Sequence, residues 1–139
     1  MLRFLFAALL ALAPLAASAA TLTVKVENIG KKGGVLRLSL YDEASWSNDN
    51  SEPIVSANVQ ALAPETVVAF SNLKPGVYGV KTYQDADGNG KFDQNWLGWP
   101  LERYGFSNDA RAWFGAPSFS AASFASPWRP IGAQTSVSQ

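Results

Sequence analysis

Four oxygen-bearing side chains, Asp85, Asp87, Asn89 and Asp93, are spaced two, two and four apart around the glycines of one short loop. That spacing suits a hard cation. Ca²⁺ collects about six to eight oxygens, and a tight glycine turn lets alternate side chains converge on it. Set against the EF-hand loop, Asp85, Asp87 and Asn89 fall at the first, third and fifth ligand positions, Gly90 at the turn and Asp93 at the ninth. Lys91 falls at the seventh position, where its carbonyl would serve. The closing position is Trp96, which has no oxygen, so Asn95 or Glu102 completes the shell only if the chain folds back. Without the bidentate acid, Ca²⁺ is expected to bind weakly, at about 10⁻⁴–10⁻³ M, in a structural role. A metal-free turn would use the same residue types.

The rest of the composition disfavours catalysis. The chain has neither histidine nor cysteine, which removes the usual general base, the Ser-His and Cys-His nucleophile systems and the preferred zinc ligands. Glu102 with a loop aspartate could in principle hydrolyse a glycoside, but that needs a cleft and one carboxyl of raised pKa. A turn crowded with acids is better explained by a cation. No catalytic residue is assigned, and a non-enzymatic domain is expected.

Residues 1–19 have the form of a secretory signal peptide, with Arg3, an apolar run over 4–15 and the small-x-small site Ala17-Ser18-Ala19. Their removal leaves a single domain, 20–139, in the periplasm or outside the cell. Without Arg3 ten basic side chains face eleven acidic ones, a net charge of −1. That balance argues against nucleic acid as a partner. No later run approaches the about 18 apolar residues of a membrane span.

The elements that must hold the loop read as strands. Leu22, Val24 and Val26 alternate with Thr23, Lys25 and Glu27, and Leu36, Leu38 and Leu40 with Arg37 and Ser39, which predicts two strands paired as a hairpin across residues 28–34. Further strands are predicted over 54–61, 65–70 and 77–83. The last of these follows a turn at 72–76, where Pro75 and Gly76 stand as in a type II turn, and runs into Asp85. Short strands separated by Gly and Pro turns predict an all-β, antiparallel β-sandwich, immunoglobulin-like or transthyretin-like.

Residues 92–128 then carry four of the five tryptophans. Ser107 or Asn108 is expected to cap a short helix over 109–114 closed by Gly115, and 131–137 to supply a last strand. Trp96, Trp99, Trp113 and Trp128 are expected to pack as the core of this aromatic-rich excursion, since large aromatics are mostly buried. If they are exposed instead, Trp96, Trp99 and Trp113 would stack on a sugar ring or another cell-envelope ligand.

Three blocks carry a resemblance: Phe70-Ser-Asn-Leu-Lys-Pro-Gly-Val-Tyr78, the 85–93 loop, and Gly98-Trp-Pro-Leu-Glu-Arg-Tyr-Gly-Phe-Ser-Asn108. Together they resemble the bacterial domain of unknown function 2141 over the mature chain, the third block most specifically. The resemblance implies a small exported β-sandwich without an assigned reaction, whose partner in the cell envelope, protein or glycan, is unknown. Asp87 and Trp99 depart from the expected asparagine and smaller aliphatic residue. The added carboxylate at Asp87 favours a cation.

Overall fold

The computed structural model describes residues 20–48, 50–126 and 134–138, the last stretch by its backbone. The expected signal segment 1–19, Trp128 and residues 131–133 lie outside the described residues. Among the described residues there are eight strands: β1 (Ala20–Glu27), β2 (Val35–Tyr41), β3 (Val55–Gln60), β4 (Glu65–Leu73), β5 (Gly76–Asp85), β6 (Tyr104–Phe106), β7 (Phe124–Ser126) and β8 (Gln134–Ser138). Two four-residue helices accompany them, α1 (Glu43–Trp46) and α2 (Phe119–Ala122).

The strands form the two layers of a β-sandwich. One sheet has the order β4-β1-β8, and the other β3-β2-β5-β6 with β7 paired to the start of β5. Pairing is antiparallel throughout, except that β8 joins β1 in parallel. Period-two alternation decides which faces meet. Leu22, Val24 and Val26 of β1 and Val68, Phe70 and Leu73 of β4 are buried against Leu36, Leu38 and Leu40 of β2 and Tyr78 and Val80 of β5. Each fully buried Leu or Val contributes about 1.5–3 kcal/mol of transfer free energy.

The expected hairpin between the first two strands does not form. β1 and β2 lie in different sheets, and the link between them crosses the edge of the sandwich. Two contacts explain the crossing. The Ile29 N–H donates to the Pro64 carbonyl on the β1 side. On the other side the buried Gln84 amide of β5 receives the Gly30 N–H at 2.8 Å and donates to the Gly30 and Gly33 carbonyls at 2.9 and 2.7 Å. The reversal before β5 also differs from a type II turn, because Gly76 begins the strand and the positive φ of 61° belongs to Asn72.

Nor does a helix form over 109–114. Asn108 and Asp109 adopt φ of 58° and 51°, a left-handed step that these residues tolerate but that does not start a helix. Ser107 is buried instead, where its hydroxyl accepts from Val80 N–H at 2.9 Å and donates to the Ala122 carbonyl. The helices arise where the chain carries real caps. Asp42 and Ser45 form a reciprocal capping box for α1, which holds the Asp42 carboxyl below the usual carboxylate range, and Ser118 caps α2.

The tryptophans are distributed opposite to the expected core. Trp96, Trp99 and Trp113 are 90%, 63% and 96% exposed, whereas Trp46 is only 1% exposed. The exposed three sit in the connections from β5 to β6 and from β6 to α2, outside a sheet whose inner face is already filled, mainly by aliphatic side chains. Trp46 finds room on the outer face of that sheet because β5 has a glycine beneath it. A Cβ on Gly79 would stand 2.6 Å from the indole, so the close approach requires a residue without a side chain.

Candidate functional site

On the outer face of the five-stranded sheet, β5 presents Gly79, Lys81, Tyr83 and Asp85, and β2 presents Arg37, Ser39 and Tyr41. The register sets Arg37 opposite Tyr83 and Val35 opposite Asp85, so Arg37 and Asp85 are diagonal neighbours on one face. Arg37 Nε donates to Asp85 Oδ2 at 2.7 Å. Although Asp85 is 0% exposed, its charge is well answered: Gly88 N–H donates to Oδ1 at 2.7 Å and Gly90 N–H to Oδ2 at 2.9 Å. Burial by itself raises this carboxyl, but the Arg37 hydrogen bond and the two N–H groups outweigh it and leave Asp85 below the usual carboxylate range. The loop can wrap its own aspartate because Gly88 and Gly90 take φ of 75° and 79°.

The chain does fold back, and it brings Glu102 rather than Asn95. Glu102 Oε1 accepts from Ala86 N–H and Oε2 from Asp93 N–H, both at 3.1 Å. One side chain thereby ties the start of the loop to its end. One oxygen from each of Asp85, Asp87 and Glu102 lies within 4.8 Å of the others. Two ligands of one ion stand at most two bond lengths apart, about 4.6–5.2 Å for Ca²⁺, so the group can hold a metal ion.

The remaining candidates stand around this group. Asn89 Nδ2 donates to Asp87 Oδ2 at 3.1 Å and to Asp93 Oδ2 at 2.8 Å, while its Oδ1 accepts from Lys91 N–H at 2.7 Å. Asn89 thus ties Asp93 to the edge of the group. Asn95 serves a different turn, its Oδ1 accepting from Leu97 and Trp99 N–H at 2.9 and 3.0 Å. That turn caps a short hairpin rooted at the acidic group, with the Leu101 N–H on the Asp93 carbonyl and a bridge between Gln94 and Pro100.

The hairpin forms one wall of a groove of about 640 Å³ over the outer face of the sheet. The segment 112–116 with Trp113 and Phe114 also lines it, together with Tyr41, Lys81, Tyr83, Tyr104 and Phe106 of the sheet. Edge-to-face contacts run beneath it from Tyr83 through Phe92, Tyr104 and Phe106 to Trp46, with centroids 5.5, 5.6, 5.9 and 6.1 Å apart. Lys81 Nζ lies 4.6 Å over the Tyr41 ring and 4.8 Å over Trp46, and donates to the Trp46 carbonyl at 2.7 Å. Of the candidate ligand-binding aromatics, Trp99 and Trp113 line the groove, and Trp96 does not.

Arg37 and Trp46 escaped the sequence reading. Arg37 has the appearance of a solvated residue on the polar face of a strand, and only the β2–β5 register shows its partner. The signal for Trp46 was the capping pair Asp42 and Ser45 just before it, which marks an ordered turn in an otherwise polar stretch.

A family model described as an uncharacterized protein conserved in bacteria, DUF2141, matches residues 24–129. No curated protein and no solved structure matches the chain.

Proposed function

The chain belongs to the DUF2141 family, and from that premise we propose that it is an exported accessory or binding domain without a reaction of its own, closed by a structural Ca²⁺ at the 85–93 loop. The observation that carries this reading is the convergence of Asp85, Asp87 and Glu102 within 4.8 Å. An all-oxygen site in a chain without His or Cys suits Ca²⁺ better than a transition metal. Asn89 already bridges Asp87 and Asp93 with its Nδ2. On binding, its amide turns over to present oxygen, the Lys91 carbonyl joins, and the cation takes the place of the bridging N–H groups.

The thermal melt tests this. Ca²⁺ at a hundredfold excess over Kd adds about 2.7 kcal/mol of stability, a rise in Tm of roughly 10 °C for a domain of this size. Mg²⁺ at the same concentration gives a smaller rise, because it demands stricter octahedral geometry. Superimposable melts in excess chelator and in Ca²⁺ would remove the metal from the account.

One feature favours a second reading, a module for carbohydrate or another cell-envelope ligand: Trp99 and Trp113 both stand exposed in the lining of a groove of ligand-binding size. Acrylamide is expected to quench Trp96, Trp99 and Trp113 readily and Trp46 hardly at all. A bound glycan relieves the quenching of Trp99 and Trp113. Emission that is uniformly blue-shifted and resistant to acrylamide would count against both the groove and its use.

A further inference from the structure

The charged side chains that line the groove are of one sign, with Asp85 paired to Arg37 behind them. Arg37 and Lys81 line it, and no aspartate or glutamate does, although the whole chain carries equal numbers of acids and bases. The two cations lie on one face of the β2–β5 ladder, where Arg37 opposes Tyr83 and Lys81 opposes Ser39. They are diagonal neighbours, about 7–8 Å apart at the backbone. Asp85 fixes Arg37 through Nε alone, which orients the guanidinium plane and leaves its Nη edge for the planar, two-pronged pairing that a carboxylate prefers.

We propose that the groove binds an acidic sugar, a pyranose ring bearing a carboxylate, held by its C–H face between Trp99 and Trp113 with the carboxylate on the Arg37–Lys81 side. The proposal rests on the ligand-binding reading above and names its ligand class. Three properties of the groove select this chemistry. Its charged lining consists of cationic donors, which suits an anionic group. Its walls are flat aromatic faces on two exposed loops, which suit the stacking of a ring in open solvent, whereas a purely apolar ligand gains most from an enclosed site. Aliphatic lining is sparse, and the polar groups Ser39 and Gln94 are placed among the rings to meet hydroxyls.

The test titrates the folded protein with oligogalacturonate and, separately, with its methyl ester, which keeps the rings and removes the charge. Tryptophan fluorescence and calorimetry report binding. The acid is expected to bind at least about tenfold more tightly than the ester, to weaken as salt is raised, and to lose about tenfold or more in Trp113→Ala. Because Trp113 is almost wholly exposed, that variant keeps the fold. Arg37→Gln, checked for folding by circular dichroism, should bring the acid down to the affinity of the ester. Equal binding of acid and ester overturns the charge assignment while the ligand-binding reading stands. Binding of benzoate without oligogalacturonate overturns the sugar. If no acidic or neutral oligosaccharide binds, the proposal and the carbohydrate form of the ligand-binding reading fall together.

Discussion

Trp46→Ala is expected to lower the unfolding free energy by about 3–5 kcal/mol, the largest effect of any single truncation on the outer face. Four losses combine. The indole is 1% exposed, so its removal opens a cavity above Gly79. Its Nε1–H donates to the Pro117 carbonyl at 2.8 Å, and that buried acceptor would be left without its donor. Edge-to-face contacts with Tyr41, Phe106 and Phe119, at 6.2, 6.1 and 5.8 Å, disappear. Lys81 loses one of the two rings beneath its ammonium. Urea denaturation followed by far-UV circular dichroism measures the change. Trp46→Phe should recover more than half of the loss, since it restores a ring but not the donor. A cost below about 1 kcal/mol for the alanine variant would mean that the indole does not plug this face.

Asp85→Ala should lower Tm by on the order of 10 °C even without metal, because it leaves the half-buried Arg37 guanidinium without its counter-charge and two loop N–H groups without acceptors. Asp85→Asn should be intermediate, since it keeps the shape and part of the hydrogen bonding. In a double-mutant cycle, Arg37→Met with Asp85→Ala should cost less than the sum of the single changes. The pH dependence has a definite sign. With its folded pKa depressed by Arg37 and the Gly90 and Gly88 N–H groups, Asp85 contributes stability above about pH 4, the unfolded carboxyl value. That contribution is lost as the pH falls through the lower folded value. The wild-type protein should therefore lose stability more steeply below about pH 4 than Asp85→Asn does. Parallel pH profiles for the two proteins would show that this carboxylate is not held as its geometry implies.

The two sites were readable to different degrees. Alternation in β1 and β2 pointed to the strands and to the residues that face inward, because burial on one side of a pleat leaves a period of two in the sequence. Asp85, Asp87, Asn89 and Gly90 were visible as a loop for a cation, since their spacing is local. Glu102 was visible only as a candidate, because its arrival depends on the hairpin that Asn95 turns. Partners such as Gln84 with Gly30, or Arg37 with Asp85, leave no local trace. Their separations of 54 and 48 residues are closed by the crossing of the 28–34 link in the first case and by strand register in the second.

The sequence by itself determined the first five strands, the inward-facing residues of β1 and β2 and the oxygen-rich loop, all of which follow from spacing within a few residues, whereas β6 and β7 left no such pattern. Tertiary structure alone decided which strands share a sheet, which acid completes the loop and where the tryptophans lie. Aromatic residues interleaved with Gly, Pro and Ser fit a packed loop or an exposed wall equally well. The choice turns on whether the sheet beneath has space left. Here the inner face is filled by Leu, Val and Ile with Phe70 and Tyr78, and the space on the outer face above Gly79 is taken by Trp46. Trp99 and Trp113 therefore remain at the surface, Trp99 on the hairpin rooted at the acidic loop and Trp113 on the segment 112–116.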